Sequence, residues 1–455
     1  MRLIRVLLAS FATVFFLSIG VTSAAEPPDK AKIDWKQFQG TTLNLFFVKH
    51  PWESAIEPLL PEFEKLTGMK LSVTTASEEA FWNKSSLGLA SAKPPFDVFF
   101  LSMGINGYTA YTNNWLAQLN EQIDNPKLTD SAWYQYDDIS SAAAAAFHLP
   151  DPSSPKIYGI PMSEEVYMLF YRKDLFEQAG VDVDSIKTVQ QWTDSLDKLK
   201  LPQGTYPASI RGGGLGILDE LNGMVMNCWG KAPYLKDRFV YFDKDWHPQF
   251  TDDRVKRGFV EWANLMNRSA PGVTSFDWYE ATTQFAQGKA ATFGPDASLF
   301  ASIFTDPKQS VVTDKVGFKA LPACSPDGPG TTMWSWGLSI PERSAKKNAA
   351  WLFVEWATSP WVTEQVSLQT LASPRNSTWA DPAYQAKLPP GFGKAVGESL
   401  AIAQPSIMYL TAADQVIQDM LDAVQGIHQG TPADKAMQAL NEKATAIVKQ
   451  AGLVK

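Results

Sequence analysis

YGIPMSEEVYMLFYRKDLFEQAG, residues 158–180, holds the pattern from which the rest of the chain can be read. Gly159 and Pro161 end whatever precedes them. The run from Val166 to Tyr171 is apolar and aromatic, too short for a typical helix, and predicts a strand buried on both faces. Arg172-Lys173-Asp174 then opens a short helix that Gly180 is suited to cap. Two adjacent carboxylates, Glu164 and Glu165, stand at the mouth of the buried run. Neighbours in an extended segment point to opposite sides, so at least one of them is expected to face water. The sharper reading is that one accepts hydrogen bonds from a polar ligand.

Working outward, the segments before this stretch alternate between short apolar runs and helical patterns. Strands are predicted over residues 42–48, 70–75 and 96–101, with an amphipathic helix over 55–66 and a second helix over 78–92 between them. This βαβαβ rhythm implies a parallel sheet with helices on both faces. Ligands in such sheets bind outside the carboxyl ends of the strands. That rule selects His50 and Trp52, then Glu78 and Glu79, then Met103 to Asn106. After residue 180 the alternation resumes. A capping box, Thr188 to Gln191, opens a helix. Strands are predicted over 206–211, 290–294, 316–321 and 331–340, and helices over 259–266, 348–358 and 433–451. Tyr206 to Arg211 runs into Gly212-Gly213-Gly214.

A chain of 455 residues exceeds one ordinary core, so two or more domains are expected. A formal net charge of -8 argues against nucleic acid as a partner. Arg2 and Arg5, the apolar run Val6 to Val21 and the small residues Ser23-Ala24-Ala25 read as an export leader over residues 1–25, cleaved before Glu26. No Cys adjoins that site, so no lipid anchor is expected, and no later run is long enough to span a bilayer. Cys228 and Cys324 fit an oxidising compartment and are compatible with one disulfide. Signatures of zinc proteases, P-loops and serine hydrolases are absent, and the four histidines show no metal spacing. No catalytic residue, cofactor or metal is called.

The 158–180 stretch resembles the signature of the family 1 extracellular solute-binding proteins of ABC importers, the carbohydrate binders that include the maltose-binding type. Residues 285–298 (FAQGKAATFGPDAS), 334–360, 371–384 (LASPRNSTWADPAY) and the end helix after Gly430-Thr431-Pro432 agree with it in the same order. IRGGG (210–214), PDAS and WSWGLSIP look most like the polyol-binding branch. Tyr167, Met168 and Thr292-Phe293-Gly294 depart from that branch's pattern. The resemblance implies an α/β fold of two lobes, each a mainly parallel sheet flanked by helices, with the ligand between them. The lobes would comprise 26–161 plus 337–404 and 162–336 plus 405–455. Crossings are expected near Pro161 to Glu165, Met333 to Gly337, and Gln404-Pro405.

By the same resemblance the ligand-binding residues would be Arg211, Asp296, Trp334, Trp336, Arg375 and Glu165, with Glu79 in an early helix. Glu164 is then the acid left to face water. Asn106 joins the candidates from the strand-end rule, and Trp229 as a further wall for a sugar's C–H face. Carboxylates accept from hydroxyls, guanidinium groups donate, and indoles cover apolar ring or chain surface. Each candidate has an ordinary alternative. Arg211 could cap a helix, Asp296 could be an N-cap, Trp229 and one of the paired tryptophans could be core, and Arg375 could make a structural pair. The implied protein is a monomeric periplasmic binder of a sugar or polyol that delivers it to an ABC permease. The alternative of another class is an exported glycoside hydrolase, to which an acid pair such as Glu164 and Glu165 could belong.

Overall fold

The computed structural model describes residues 25–405 and 407–454. The expected leader lies outside them except for Ala25. Nine strands order the chain: β1 (Thr42–Val48), β2 (Lys70–Ala76), β3 (Val98–Leu101), β4 (Ile160–Arg172), β5 (Tyr206–Ser209), β6 (Ala290–Ala297), β7 (Val316–Lys319), β8 (Thr331–Ser339) and β9 (Ala403–Pro405). Their order is β2-β1-β3-β8-β4-β6-β5, with β7 added to β4 and β9 to β8.

The decisive element is β4. At about 3.3 Å per residue its 13 residues extend roughly 40 Å, enough to run from one lobe into the other. Its first half, Ile160 to Val166, pairs with β8, and its second half pairs with β6 and β7. Sequence periodicity predicts only the second half, because Pro161 and two acids interrupt the apolar run. The proline is accommodated at a register shift between Pro161 and Ser163, where a missing N–H is tolerated. The three segments expected as crossings are neighbours, since β4, β8 and β9 pair with one another in turn.

The sheets are mixed rather than mainly parallel. β1 pairs in parallel with β2 and β3, and β5 with β6. The crossing strands enter both groups antiparallel, as β3 with β8 and β4 with β6 and β7. A strand shared by two sheets cannot follow the direction of both.

The helix Phe392–Leu400, expected in the first lobe, packs on β4 and β7, with Phe392 5.3 Å from Phe318 edge to face. Helix Ile217–Trp229, absent from the expected elements, is buried at every residue. Buried on all sides, with Asp219, Glu220, Asn222 and Asn227 set among its apolar residues, it lacks the simple polar face of a surface helix, and the preceding glycines disguise its start. Cys228 near its end is bonded to Cys324, with Cα atoms 4.6 Å apart, which ties this helix to the chain after β7. Among the described residues no helix is long and apolar enough to cross a membrane.

Candidate functional site

A small cavity of about 30 Å³ lies where the two strand groups meet the crossing strands. That is well below the ~300–1,000 Å³ of ligand pockets, so the lobes leave little free space between them. His50 and Glu78 enter from the ends of β1 and β2, Glu165 and Tyr167 from β4, and Trp334 and Trp336 from β8. Arg211 follows β5, Asp219 stands in the first turn of helix Ile217–Trp229, and Trp278 and Phe300 close the remaining side. Each of the strands β1, β2 and β5 thus delivers a polar group just beyond its carboxyl end, as the strand-end rule requires.

The two tryptophans share a face of β8 because strand side chains repeat every second residue. Their rings meet edge to face at 5.7 Å. Behind them Trp336 stacks on Trp82 at 5.3 Å and 11°. Trp334 lies so close to Gly104 that a Cβ there would fall 2.1 Å from its ring. A glycine is therefore required for the indole to occupy its place.

Arg211 is buried and is the main charge opposite a group of acids. Its Nε and Nη2 donate to the two oxygens of Asp296 at 3.2 and 2.9 Å, and Nη2 also stands 2.9 Å from Glu220 Oε1 in an ion contact without hydrogen-bond alignment. Burial works to lower the Arg211 pKa, yet Asp296, Glu220 and Glu78 together hold it well above its usual value. Asp219 and Glu220 lie in the first helical turn, where the helix dipole favours acids. Burial nevertheless pushes both carboxyls well above their ordinary range. Glu78 is pushed up to about 7, again chiefly by burial, with Arg211 opposing. One Asp219 oxygen, Oδ1, has no hydrogen-bond partner. Glu165 Oε1 accepts from Ser163 Oγ at 2.7 Å and lies 3.3 Å from His50 Nε2.

The lobes touch around this cavity. The Leu215 amide donates to Glu79 Oε1 at 2.9 Å, and Lys49 Nζ sits 4.8 Å over the Tyr279 ring. Gly214, with φ +75°, permits the first contact, since a Cβ there would stand 2.6 Å from Glu79 Oε1.

Of the expected site residues, Glu165, Arg211, Trp334 and Trp336 line the cavity, and Asp296 lies immediately behind Arg211. Glu79 is on the rim, and its neighbour Glu78 takes the inner position. Asn106 is spent on the early helix, donating to Ser85 and Ser86 at 3.2 and 3.1 Å. Trp229 donates to the Ala232 carbonyl and lies under Arg254, whose guanidinium is 3.6 Å from its ring centre. Arg375 is wholly buried elsewhere, donating to the carbonyls of Thr358, Gln135 and Tyr134 and to Asp138. Glu164 does not face water. It is buried, accepts from Ser140 Oγ at 2.9 Å, and burial pushes its carboxyl up to about 7. A crossing strand has protein on both sides, so neither acid reaches bulk solvent.

His50 and Glu78 were within reach of the strand-end rule. Tyr167 carried a signal as a departure from the polyol pattern. Asp219 and Glu220 were hidden in the unrecognised helix, and Trp278 and Phe300 carried no distinguishing pattern.

A sheet-and-helix chain of two lobes, connected by shared strands and closed over a small cavity with indole walls and buried ionic groups, is a ligand-capturing protein of the periplasmic-binding-protein fold. The chain belongs to the bacterial extracellular solute-binding protein family, which residues 50–363 match. It is 32% identical over 258 residues to the mannitol-binding protein of Pseudomonas aeruginosa, covering 55% of this chain and 56% of that protein. The match thus spans little more than half of that relative's length. Against the erythritol/L-threitol-binding protein of Mycolicibacterium smegmatis it is 24% identical over 341 residues, 71% of this chain and 68% of the relative. The solved ABC-transporter solute-binding protein of Agrobacterium vitis S4 with bound D-mannitol superposes with a TM-score of 0.75 at 25% identity, over 90% of this chain and 99% of that one.

Proposed function

We propose that this protein captures a small polyol or monosaccharide by lobe closure and presents it to the permease of an ABC importer. The observation that carries the reading is the small cavity whose lining brings Trp334 and Trp336 together with Glu165, Asp219 and Arg211. A polyol has hydroxyls that donate to carboxylates and accept from a guanidinium, and C–H surface that packs on indole. Burial of that surface contributes about 25 cal/mol per Å². The mannitol and erythritol/threitol binders among its relatives support this choice over longer saccharides.

In this reading residues 26–161 with 337–391 form the first lobe, and 162–336 with the segment from Phe392 onward form the second. The closed contacts between Glu79 and Leu215 then form with the ligand inside, so that binding shifts an open–closed population. The protein works as a monomer in the periplasm after loss of its leader.

Isothermal titration against hexitols, pentitols, tetritols and aldoses tests the proposal. Saturable binding of at least one, with the ligand recovered unchanged, is expected. A bound ligand at 100 times Kd should stabilise the fold by about 2.7 kcal/mol. Absence of binding across the panel, or turnover of a glycoside, would overturn it.

A further inference from the structure

The first described residues lie in a pocket remote from the ligand cavity, lined by Ala25, Glu26, Trp133, Gln135, Glu364 and Asp381 among others. Two indoles hold the leading backbone in place. Trp133 Nε1 donates to the Glu26 carbonyl at 2.9 Å, and Trp35 Nε1 to the Pro28 carbonyl at 2.8 Å. The two rings pack edge to face at 5.8 Å. The Ala25 backbone amide donates to the Glu364 carboxylate. Among the described residues the lining has three carboxylates, Glu26, Glu364 and Asp381, and no Lys, Arg or His. An acidic pocket around a fixed backbone nitrogen lacks one thing, a positive charge.

Leader removal would supply it. Hydrolysis of the Ala25–Glu26 peptide bond by a leader peptidase consumes one water, leaves a carboxylate on Ala25 and makes the Glu26 nitrogen a primary ammonium. Successive residues are ~3.8 Å apart, so the new ammonium begins one residue from the amide Glu364 already accepts from. We infer that this pocket is the seat of the processed N-terminus, with Glu364 as its counter-ion, and that cleavage of the leader strengthens the fold of the first lobe.

The charged groups lining the pocket are Glu364, Asp381 ahead of helix Pro382–Gln385 and the Glu26 side chain, and Lys387 acts on Glu364 through its charge. Before cleavage, burial and Asp381 hold the Glu364 carboxyl above its usual value, while Lys387 and the Ala25 amide oppose them. An α-ammonium that gains a carboxylate has its pKa raised above the unfolded ~8. Its contribution is therefore complete below pH ~8 and is lost as pH rises through the folded value.

The test compares four purified proteins by differential scanning calorimetry: the exported form beginning at Glu26, the same form Nα-acetylated, and both again with Glu364→Gln. At pH 7 the free-amine form should melt higher than the acetylated one by on the order of 1–2 °C, the scale of a half-exposed ion pair in a chain of this size. The difference should vanish above pH ~10 and in the Glu364→Gln background. Equal melting temperatures at pH 7, or a difference that survives Glu364→Gln, would overturn the inference, as would an exported chain that begins at another residue. None of these outcomes depends on which solute the cavity holds.

Discussion

Arg211 holds Asp296 through two of its nitrogens, at 3.2 and 2.9 Å, with both side chains out of reach of water. The pair joins the loop after β5 to β6, and it is what keeps Glu220, Asp219 and Glu78 from facing one another unopposed. Breaking a buried pair by removing one partner costs about 3–5 kcal/mol. Arg211→Met should therefore lower stability by that order as well as abolish solute binding. Thermal denaturation and titration calorimetry on the same sample check both. A stable variant that binds normally would take Arg211 out of the site.

Gly104 offers a test of the indole wall that removes no ligand-facing atom. A Cβ added there would fall 2.1 Å from the Trp334 ring, so Gly104→Ala must displace that ring. Trp334 lines the cavity and meets Trp336 at 5.7 Å, so a displaced ring disturbs the indole wall. Overpacking of this kind costs about 1–3 kcal/mol. The expected result is a folded protein whose affinity falls roughly 10-fold or more, that is by about 1.4 kcal/mol. Trp334→Phe in the Gly104→Ala background should recover part of it.

How far the sequence reaches can be judged from single residues. Val166 to Tyr171 showed a buried strand because a continuous apolar run has few other uses, and the strand is there. Its first half stayed hidden, since Pro161, Glu164 and Glu165 are individually poor strand residues. They are held by pairing with Gly337, Ser335 and Trp334, partners 169 to 176 residues away. Arg375 shows the opposite failure. Its block follows the family pattern, but a motif fixes a residue's place in the chain and not the direction of its guanidinium, which here serves three carbonyls of the first lobe. Glu78 and Glu79 differ by one residue, about 100° around a helix, and only the packed helix decides which faces inward.

Glu79 should influence how long the lobes stay shut rather than how well they fold. Its Oε1 accepts from the Leu215 amide across the cleft, and it is an exposed residue otherwise. A hydrogen bond to a charged group contributes about 1.5–3 kcal/mol net when buried and less at a rim. Glu79→Ala should raise the solute off-rate several-fold with the on-rate nearly constant, as stopped-flow tryptophan fluorescence would show. The melting temperature without solute should change little.

Glu164 gives a pH dependence that is separate from the cavity. Its folded pKa is about 7, raised from an ordinary 4.5 by burial, with Ser140 opposing. A raised carboxyl binds its proton more tightly in the folded chain. Between pH 4.5 and 7 the native state therefore carries more protons than the unfolded one, and stability falls as pH rises through this window. Above pH 7 the ionised Glu164 is a standing cost, on the order of 1–3 kcal/mol. Glu164→Gln keeps an acceptor for Ser140 Oγ and removes the charge. It should raise the melting temperature at pH 8 and leave it nearly unchanged at pH 4.5, as denaturation curves at the two pH values will report. A variant that is less stable at pH 8 would mean that the carboxylate is held ionised by a partner across the crossing strand.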